Sequence, residues 1–304
     1  SSSSGGGGGG GGRERRHSVE GCWLSLSRPR YENCLGRNAA GEFLYTLGRM
    51  SFDMFRPTNL VCSVRGIFNS IREIEDDWMG DGGGGPAYVP YSLRFDLKNG
   101  KKDGGFPKAA AGLRTYNLVV AFTVEPNQNQ NGECTEKSDG TNKPDDNHDS
   151  TEGNEEYQYR PVRGVMTNYG YALPDPSTPN RLSIWFTGGT LEPDDATEEG
   201  VALTPPERAS HLKAWRDIFD PASVPRRSAK ECAWNLAARV LLGASVPDSM
   251  QEDGTLSYTL RRPIGGHGVA YVDCLYLDED LRVLRGHRDQ VYVCARVDGG
   301  KGSK

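Results

Sequence analysis

Apolar side chains recur at every second position in many short segments of this chain, and polar turns separate the segments. In residues 91–98 tyrosine, leucine and phenylalanine alternate with serine, arginine, aspartate and lysine. The same alternation marks residues 60–68, 116–124, 182–186 and 256–260. A period of two puts one set of side chains on one face of a strand, so each segment predicts a half-buried antiparallel strand.

The number of these segments limits how the strands can assemble. Eight or more strands without a βαβ rhythm would leave unpaired edges in an open sheet, and a sheet that closes on itself removes those edges. A chain of 304 residues is long enough to form one all-β domain of this kind. The sequence therefore predicts a mainly β fold, built as an antiparallel β-barrel.

Two segments predict amphipathic helices inserted into this barrel. Residues 204–207 are Thr-Pro-Pro-Glu, which is a capping box with proline at the first helical position. An apolar stripe follows it, made of Leu212, Trp215, Ile218 and Phe219. Residues 228–231 form a second capping box, and the helical pattern behind it ends at Gly243. We expect these helices to plug or cover one end of the barrel.

The negative charge of the chain is concentrated in one polar segment. Residues 126–158 hold nine acidic residues and two lysines, a net of −7, so the total of −5 leaves +2 for the rest of the chain. Because no basic stripe is present to displace counterions, the sequence argues against nucleic acid as a partner. No apolar run approaches the ~18 residues of a membrane-spanning helix, so we expect the protein to lie on lipid or to enclose it.

The seven cysteines argue against a disulfide framework and against a zinc site. Their number is odd, they are scattered along the chain, and no C-x-x-C pair occurs. We expect reduced thiols. No nucleophile motif, Walker loop or metal-ligand spacing is present in the sequence either. The sequence therefore predicts no metal, no cofactor and no catalytic residue.

The C-terminal part of the chain resembles a known protein family. Residues 276–283 are Tyr-Leu-Asp-Glu-Asp-Leu-Arg-Val, and Arg285-Gly286 and Val-Tyr-Val at 291–293 follow in order. This order is similar to the closing signature of the plastid lipid-associated proteins, also called plastid fibrillins. Residues 41–46 and 181–190 resemble the opening and the central strand of that family.

The resemblance covers most of residues 38–298 and implies a single lipocalin-like domain there, with residues 126–158 as a disordered acidic insertion. Residues 1–37, which are rich in serine and glycine and include a basic patch, predict a disordered terminus or the remnant of a transit peptide. Residues 299–304 are expected to be a tail.

The resemblance also implies how the barrel is closed at one end. In lipocalin-like barrels an aromatic residue of the first strand packs there, beneath an arginine of the last strands. The tryptophan of the family corresponds to Phe43 in this chain, and its expected partner is Arg282 or Arg285. A phenyl ring would hold such a guanidinium more weakly than an indole does.

The expected function is that of a non-enzymatic protein that binds or coats hydrophobic molecules. The resemblance implies lipids, quinones or carotenoids as ligands, and peripheral association with thylakoids or plastid lipid globules (plastoglobules) in the chloroplast. A barrel of about eight strands can hold one small apolar ligand. The candidate lining residues are regularly spaced aromatics: Tyr45, Phe122, Trp185, Phe186, Tyr258 and Tyr271.

Two other kinds of function remain open at this point. A lipocalin-like enzyme, for example an isomerase acting on an oxidised fatty acid, would need titratable groups such as His267, Asp273 or Glu42 inside the cavity. A scaffold for proteins of plastid isoprenoid metabolism would use the acidic insertion or an outer helical face, and its barrel interior would be filled.

The composition of the acidic insertion predicts that the fold does not depend on it. Residues 126–158 contain almost no large apolar side chain, so ordering them would cost backbone entropy with little burial in return. We expect that deleting them changes the melting temperature by less than about 2 °C and leaves lipid binding unchanged. A drop of several degrees in a thermal melt would show that the insertion packs on the barrel.

Overall fold

The computed structural model of the protein describes residues 18–73, 112–126, 161–197, 200–221, 241–245, 247 and 249–297. Several predicted features lie wholly or mostly outside these residues. They are the strand at 91–98, the acidic insertion at 126–158 beyond its first residue, the helix that begins near residue 228, and the tail at 299–304.

Within the described residues the chain forms helices of 4 and 15 residues and strands of 2 to 13 residues. In chain order they are β1 (Gly21–Ser25), β2 (Gly36–Arg37), β3 (Phe43–Thr46), α1 (Leu47–Met50), β4 (Val61–Glu73), β5 (Arg114–Val124), β6 (Arg163–Pro174), β7 (Arg181–Pro193), α2 (Pro205–Phe219), β8 (Ala244–Ser245), β9 (Leu256–Gly265), β10 (Tyr271–Leu277), β11 (Leu281–Gly286) and β12 (Val291–Arg296).

All these strands belong to one antiparallel sheet, and eight of them close into a barrel. The order around the barrel is β4, β1, β12, β11, β10, β7, β6 and β5, and β5 pairs with β4 again. Strands β3 and β2 extend the sheet beyond the first half of β4, and β9 and β8 extend it beyond the second half of β7. The predicted mainly β, antiparallel, lipocalin-like barrel is confirmed.

Strand β1 closes the barrel, although it lies inside the segment 1–37 that the sequence predicts to be disordered. Trp23 is opposite Arg296 of β12 on one side and opposite Asn69 of β4 on the other. The prediction of disorder is therefore wrong for this part of the terminus. The strand is only five residues long, too short for a period of two to stand out, and it is ordered by its two neighbours rather than by its own pattern.

The aromatic residue beneath Arg282 is Trp23, not Phe43. The guanidinium carbons of Arg282 and Arg296 lie 4.8 Å and 4.1 Å from the ring of Trp23, which is completely buried. Phe43 lies on β3 and is instead contacted by Arg28 and Arg37.

The closing strand was misassigned because β1 and β3 pair with the same side of β4. Strand β3 pairs with residues 61–64 and β1 with residues 68–71. Only β1 continues around the barrel to β12. The prediction was correct for Arg282. Arg285 has a different contact, an ion pair with Asp273 at 3.6 Å.

Helix α2 confirms the first of the two predicted helices. The backbone N–H of Thr204 donates to the carboxylate of Glu207 at 3.0 Å, as the capping box requires. On its apolar side Trp215 and Phe219 are buried, and Trp215 packs against Phe122 of β5 with ring centroids 6.4 Å apart. Among the described residues, no helix combines the length and the apolar character that crossing a membrane requires.

The interior of the protein contains two apolar clusters. The larger one is formed by side chains of β3 to β7, β9 and both helices, and it includes Tyr45, Phe55, Phe122, Trp215 and Tyr258. The smaller one lies within the barrel and is formed by Ile71, Tyr116, Ala172, Ile184, Val272 and Leu284. The first cluster is a conventional filled core, whereas the second borders a cavity.

The complete burial of Trp23 predicts a large effect of its removal. Replacing Trp23 with Ala should lower the free energy of unfolding by about 3–5 kcal/mol, because it leaves a void between two arginines and removes contacts of the closing strand. The half-buried Trp185 on β7 is the matched control, and Trp185→Ala should cost clearly less. Urea unfolding of both variants provides the comparison, and equal losses would contradict the structural importance of Trp23.

Candidate ligand-binding cavity

A cavity of about 470 Å³ lies inside the barrel, within the usual range for sites of small molecules. Its walls are apolar side chains that the alternation of the strands turns inward. They come from β4, β5, β7 and β11: Ile67, Leu118, Ile184, Phe186 and Leu284. The cavity therefore provides an apolar environment with room for one small molecule.

One cation is buried at the inner end of this cavity. Arg282 lines the cavity and is only 2% exposed. Its Nη2 donates to Oδ1 of Asn69 at 2.5 Å, and its Nε has no hydrogen-bond partner. Among the described residues, no carboxylate forms an ion pair with Arg282. The neutral amide of Asn69 and the ring of Trp23 are its neighbours instead of a counterion.

The environment of Arg282 leaves part of its charge uncompensated. Burying an ion carries an effective penalty of several kcal/mol, which good geometry and hydrogen bonds must offset. A desolvated cation–π contact returns about 2 kcal/mol, and a guanidinium has five N–H donors to satisfy. Asn69 accepts from one of them. The cavity lining thus includes a positive charge that no carboxylate of the described residues neutralises.

A charged rim surrounds the open side of the cavity. There Glu32 pairs with Arg288 and lies 3.9 Å from Arg49. The side chains of Arg49 and Arg288 are 46% and 59% exposed, so this rim is solvated. The hydrogen bond from Arg288 lowers the pKa of Glu32. The cavity lining contains five arginines against the two carboxylates of Glu32 and Asp53, which makes the site positive overall.

Tyrosine hydroxyls supply further neutral polar groups. Burial raises the pKa of Tyr116 to about 12, although the charge of Arg282 works in the opposite direction. Burial also raises the pKa of Tyr31 far above its ordinary range, and the hydroxyl of Tyr31 has no hydrogen-bond partner. Both side chains line the cavity. They remain protonated at neutral pH, so they can donate to a bound molecule without adding negative charge.

The predicted lining residues are divided among three places. Phe186 and Tyr271 line the cavity. Tyr45, Phe122 and Tyr258 are buried in the larger, filled cluster. Trp185 lies on the other face of β7 from its neighbour Phe186. Its ring packs against the ring of His267, with centroids 4.9 Å apart.

The three aromatics of the filled cluster make internal contacts. The hydroxyl of Tyr45 donates to the carbonyl of Pro29 at 2.7 Å, and that of Tyr258 donates to Asn168 at 3.0 Å. Phe122 packs on Trp215. These residues support the fold around the cavity but do not border it.

The sequence reasoning missed the polar end of the cavity. Tyr116 lies in the alternating segment 116–124 but is not among the aromatics predicted to line the cavity. Asn69 follows the segment 60–68 and carries an amide rather than an aromatic ring. Trp23 lies in a segment with no strand pattern. The signals that could have found them are the inward positions of Asn69 and Tyr116 on β4 and β5, and a lone tryptophan in a terminal segment.

Ser183, His267 and Asp175 lie together outside the cavity and superficially resemble a catalytic triad. Nδ1 of His267 lies 2.8 Å from Oγ of Ser183 and 3.4 Å from the carboxylate of Asp175. The same ring nitrogen therefore faces both partners, whereas a triad uses one nitrogen for each. The hydroxyl of Ser183 itself donates to Asp175 at 3.0 Å, so its proton does not point to a base.

Asp175 holds a turn between β6 and β7. Its Oδ1 accepts the backbone N–H groups of Ser177 and Thr178 at 2.9 Å and 3.1 Å. The hydrogen bonds from Ser177, followed by that from Ser183, hold the pKa of Asp175 well below its usual range. This is the arrangement of a turn-stabilising aspartate, and it explains the cluster without catalysis.

The other titratable residues that an enzyme would need also lie elsewhere. Asp273 accepts two hydrogen bonds from Arg181, at 2.7 Å and 3.1 Å, and this contact lowers its pKa. Glu42 accepts from Asn38 at 3.0 Å. Neither residue lines the cavity, and nor does His267. The part of the chain that the structure describes contains no group of three or more metal-ligating side chains.

No family model, curated protein or solved structure matches this chain. The resemblance to the plastid lipid-associated proteins therefore stays a hypothesis, and the geometry of the cavity is the main basis for a functional argument.

The role of Asp175 as a turn anchor predicts a pH-dependent effect on stability. Because its pKa is lower in the folded chain than in the unfolded chain, its ionised form stabilises the fold above about pH 4, and this stabilisation is lost as the pH falls. Replacing Asp175 with Asn should lower the melting temperature at pH 7. The difference from the unmodified protein should shrink below about pH 4. Thermal melts across this range test it, and a difference independent of pH would contradict it.

Proposed function

We propose that this protein is a non-enzymatic binding protein that holds one hydrophobic small molecule inside its barrel. The observation that carries the proposal is the cavity of about 470 Å³, walled by inward-facing Ile, Leu and Phe side chains and open at a charged rim. Removing apolar ligand surface from water contributes about 25 cal/mol per Å². An apolar cavity of this size in a barrel therefore favours the binding of a ligand of matching size.

The volume of the cavity favours small members of the expected ligand class. A water molecule occupies about 30 Å³ in the liquid, and a methylene group is of similar size, so the cavity has room for a chain of roughly fifteen carbon atoms. A single acyl chain or the head of a quinone fits this volume. A whole carotenoid, with forty carbon atoms, exceeds it and would have to extend through the open rim.

The setting proposed for this activity is the plastid, at thylakoids or plastid lipid globules. Its support is the resemblance of residues 41–46, 181–190 and 276–293 to the plastid lipid-associated proteins. Attachment to lipid would be peripheral. The exposed arginines at the rim of the cavity suit the approach of an anionic lipid surface or of an anionic amphiphile to the opening.

The positions of particular residues support a binding protein over the two other kinds of function. A scaffold with a filled barrel would have no need of a cavity. An enzyme built on His267, Asp273 or Glu42 would place them in the cavity. Instead, these residues lie outside the cavity lining and contact Ser183, Arg181 and Asn38, respectively.

Two neighbouring residues of β7 offer a sharp test of binding inside the barrel. Phe186→Asp puts a charge on the cavity wall, and Trp185→Asp puts the same charge at the adjacent position on the opposite face. A short-chain quinone probe should lose most of its affinity for Phe186→Asp, because a buried unpaired charge costs more than a small ligand's contacts return. The probe should still bind Trp185→Asp.

Extraction of lipids from the purified proteins, followed by mass spectrometry, gives a second measurement. The unmodified protein and Trp185→Asp should yield the same small hydrophobic species, and Phe186→Asp should not. If folded Phe186→Asp retains both the probe and the extracted species, binding does not occur in the barrel. A surface coat would then replace the carrier, and flotation with lipid particles would test it.

A further inference from the structure

We propose that the molecule bound in the cavity carries a carboxylate, and that Arg282 binds this group at the inner end with the apolar chain directed toward the rim. This inference rests on the proposed function, because it specifies the chemical class of the ligand in the same cavity. It identifies a single-chain amphiphile of the fatty-acid type. It starts from a buried guanidinium that has no carboxylate partner within the part of the chain that the structure describes.

The guanidinium of Arg282 has few hydrogen-bond partners in the protein. Its Nε has no partner, and one of its Nη atoms donates to the neutral amide oxygen of Asn69. A carboxylate accepts two parallel N–H bonds from one edge of a guanidinium, and such charge-assisted pairs are the strongest that arginine forms. A carboxylate that meets the guanidinium where Arg282 lines the cavity would supply the missing negative charge.

The side chains around the guanidinium of Arg282 hold it in place without neutralising it. Trp23 and Cys294 line the cavity on neighbouring strands, together with Tyr116 and Asn69. None of these side chains is a carboxylate. A tryptophan ring and an asparagine hold the cation in place without neutralising it. The position of Arg282 is thus fixed before a ligand arrives, and this lowers the entropy cost of binding.

The composition of the lining points the same way. Arg282 is buried, whereas Arg49 and Arg288 at the rim are exposed, and the lining also includes the apolar side chains of Ile67, Leu118, Phe186 and Leu284. An anion with an apolar chain of roughly fifteen carbons matches both features and the volume. An uncharged quinone would leave the charge of Arg282 without a counterion.

The test compares two ligands of equal chain length on the delipidated full-length protein. Myristate carries a carboxylate and tetradecanol a hydroxyl, so the two differ only at the head group. We expect myristate to bind about 10- to 100-fold more tightly, because hydrogen bonds to a buried charge are stronger than those between neutral groups. Isothermal titration calorimetry, or displacement of a fluorescent probe, measures the ratio.

Substitutions at Arg282 and Arg285 connect this preference to one side chain. In Arg282→Met the preference for myristate should disappear while tetradecanol still binds. Arg285→Met is the matched control, since this arginine of the same strand pairs with Asp273 and lies outside the cavity lining. It should leave both affinities unchanged.

A second variant keeps the proposal testable if Arg282→Met does not fold. Asn69→Asp places a carboxylate of the protein beside Arg282, where it should act as an internal counterion. Binding of myristate should then fall to the level of tetradecanol, and the folded protein should become more stable. Unchanged myristate preference in Asn69→Asp would contradict the role of Arg282.

The outcomes separate this inference from the function on which it rests. If tetradecanol and myristate bind equally well to the unmodified protein, Arg282 serves only to pack on Trp23 and the inference is wrong. The proposed function, binding of a hydrophobic molecule in the barrel, is then kept for neutral ligands. If neither compound binds, although the quinone probe does, the cavity takes a different class of ligand and the inference falls. If none of the three binds, the proposed function falls with it.

Discussion

The pairing of β1 with both β12 and β4 is the contact on which the rest of the barrel depends. Without this strand β4 and β12 would be sheet edges with unpaired backbone groups. The same five residues bring Trp23 into the interior, between Arg282 and Arg296. A single strand, β1, therefore both closes the sheet and forms part of the inner end of the cavity.

The division of the interior into a filled part and a hollow part follows from side-chain size. Around Trp215 and Tyr258 large rings interlock, and Gly164 and Gly189 make room for them: a Cβ at either position would lie 2.5–2.7 Å from a neighbouring heavy atom. Around the cavity the lining includes small residues instead: Ser25, Gly48, Ala270 and Gly286. The hollow is thus a consequence of which residues face inward, not of loose packing throughout.

Sequence reasoning reached the fold class because the barrel is mostly built from strands with strong local patterns. Strand β5 alternates from Tyr116 to Val124, and the capping box before Pro205 marks the start of α2. It did not reach the closing strand, because β1 is short and its order depends on long-range pairing. Phe43 and Trp23 both lie on strands next to β4, and only the three-dimensional register distinguishes them.

The candidate site was harder to predict than the fold for a related reason. Alternation says which residues share a face but not which face is inside. The lining prediction therefore gave Phe186, which lines the cavity, the same weight as Tyr45, Phe122 and Tyr258, which fill the core. The decisive contact joins Asn69 to Arg282 across 213 positions of sequence. No local pattern contains such a pair, and it exists only because β1 lies between β4 and β12.

The chemistry of that pair explains how a site can be both stable and receptive. A carboxylate at position 69 would neutralise the guanidinium and make the inner end of the cavity self-sufficient, since a buried ion is costly unless it is paired. The amide accepts one hydrogen bond and fixes the orientation of Arg282, and the ring of Trp23 offsets part of the desolvation. What remains uncompensated is the charge of the guanidinium, for which the described residues offer no carboxylate partner. The free energy that the folded protein forgoes there becomes available to a ligand that brings its own negative charge.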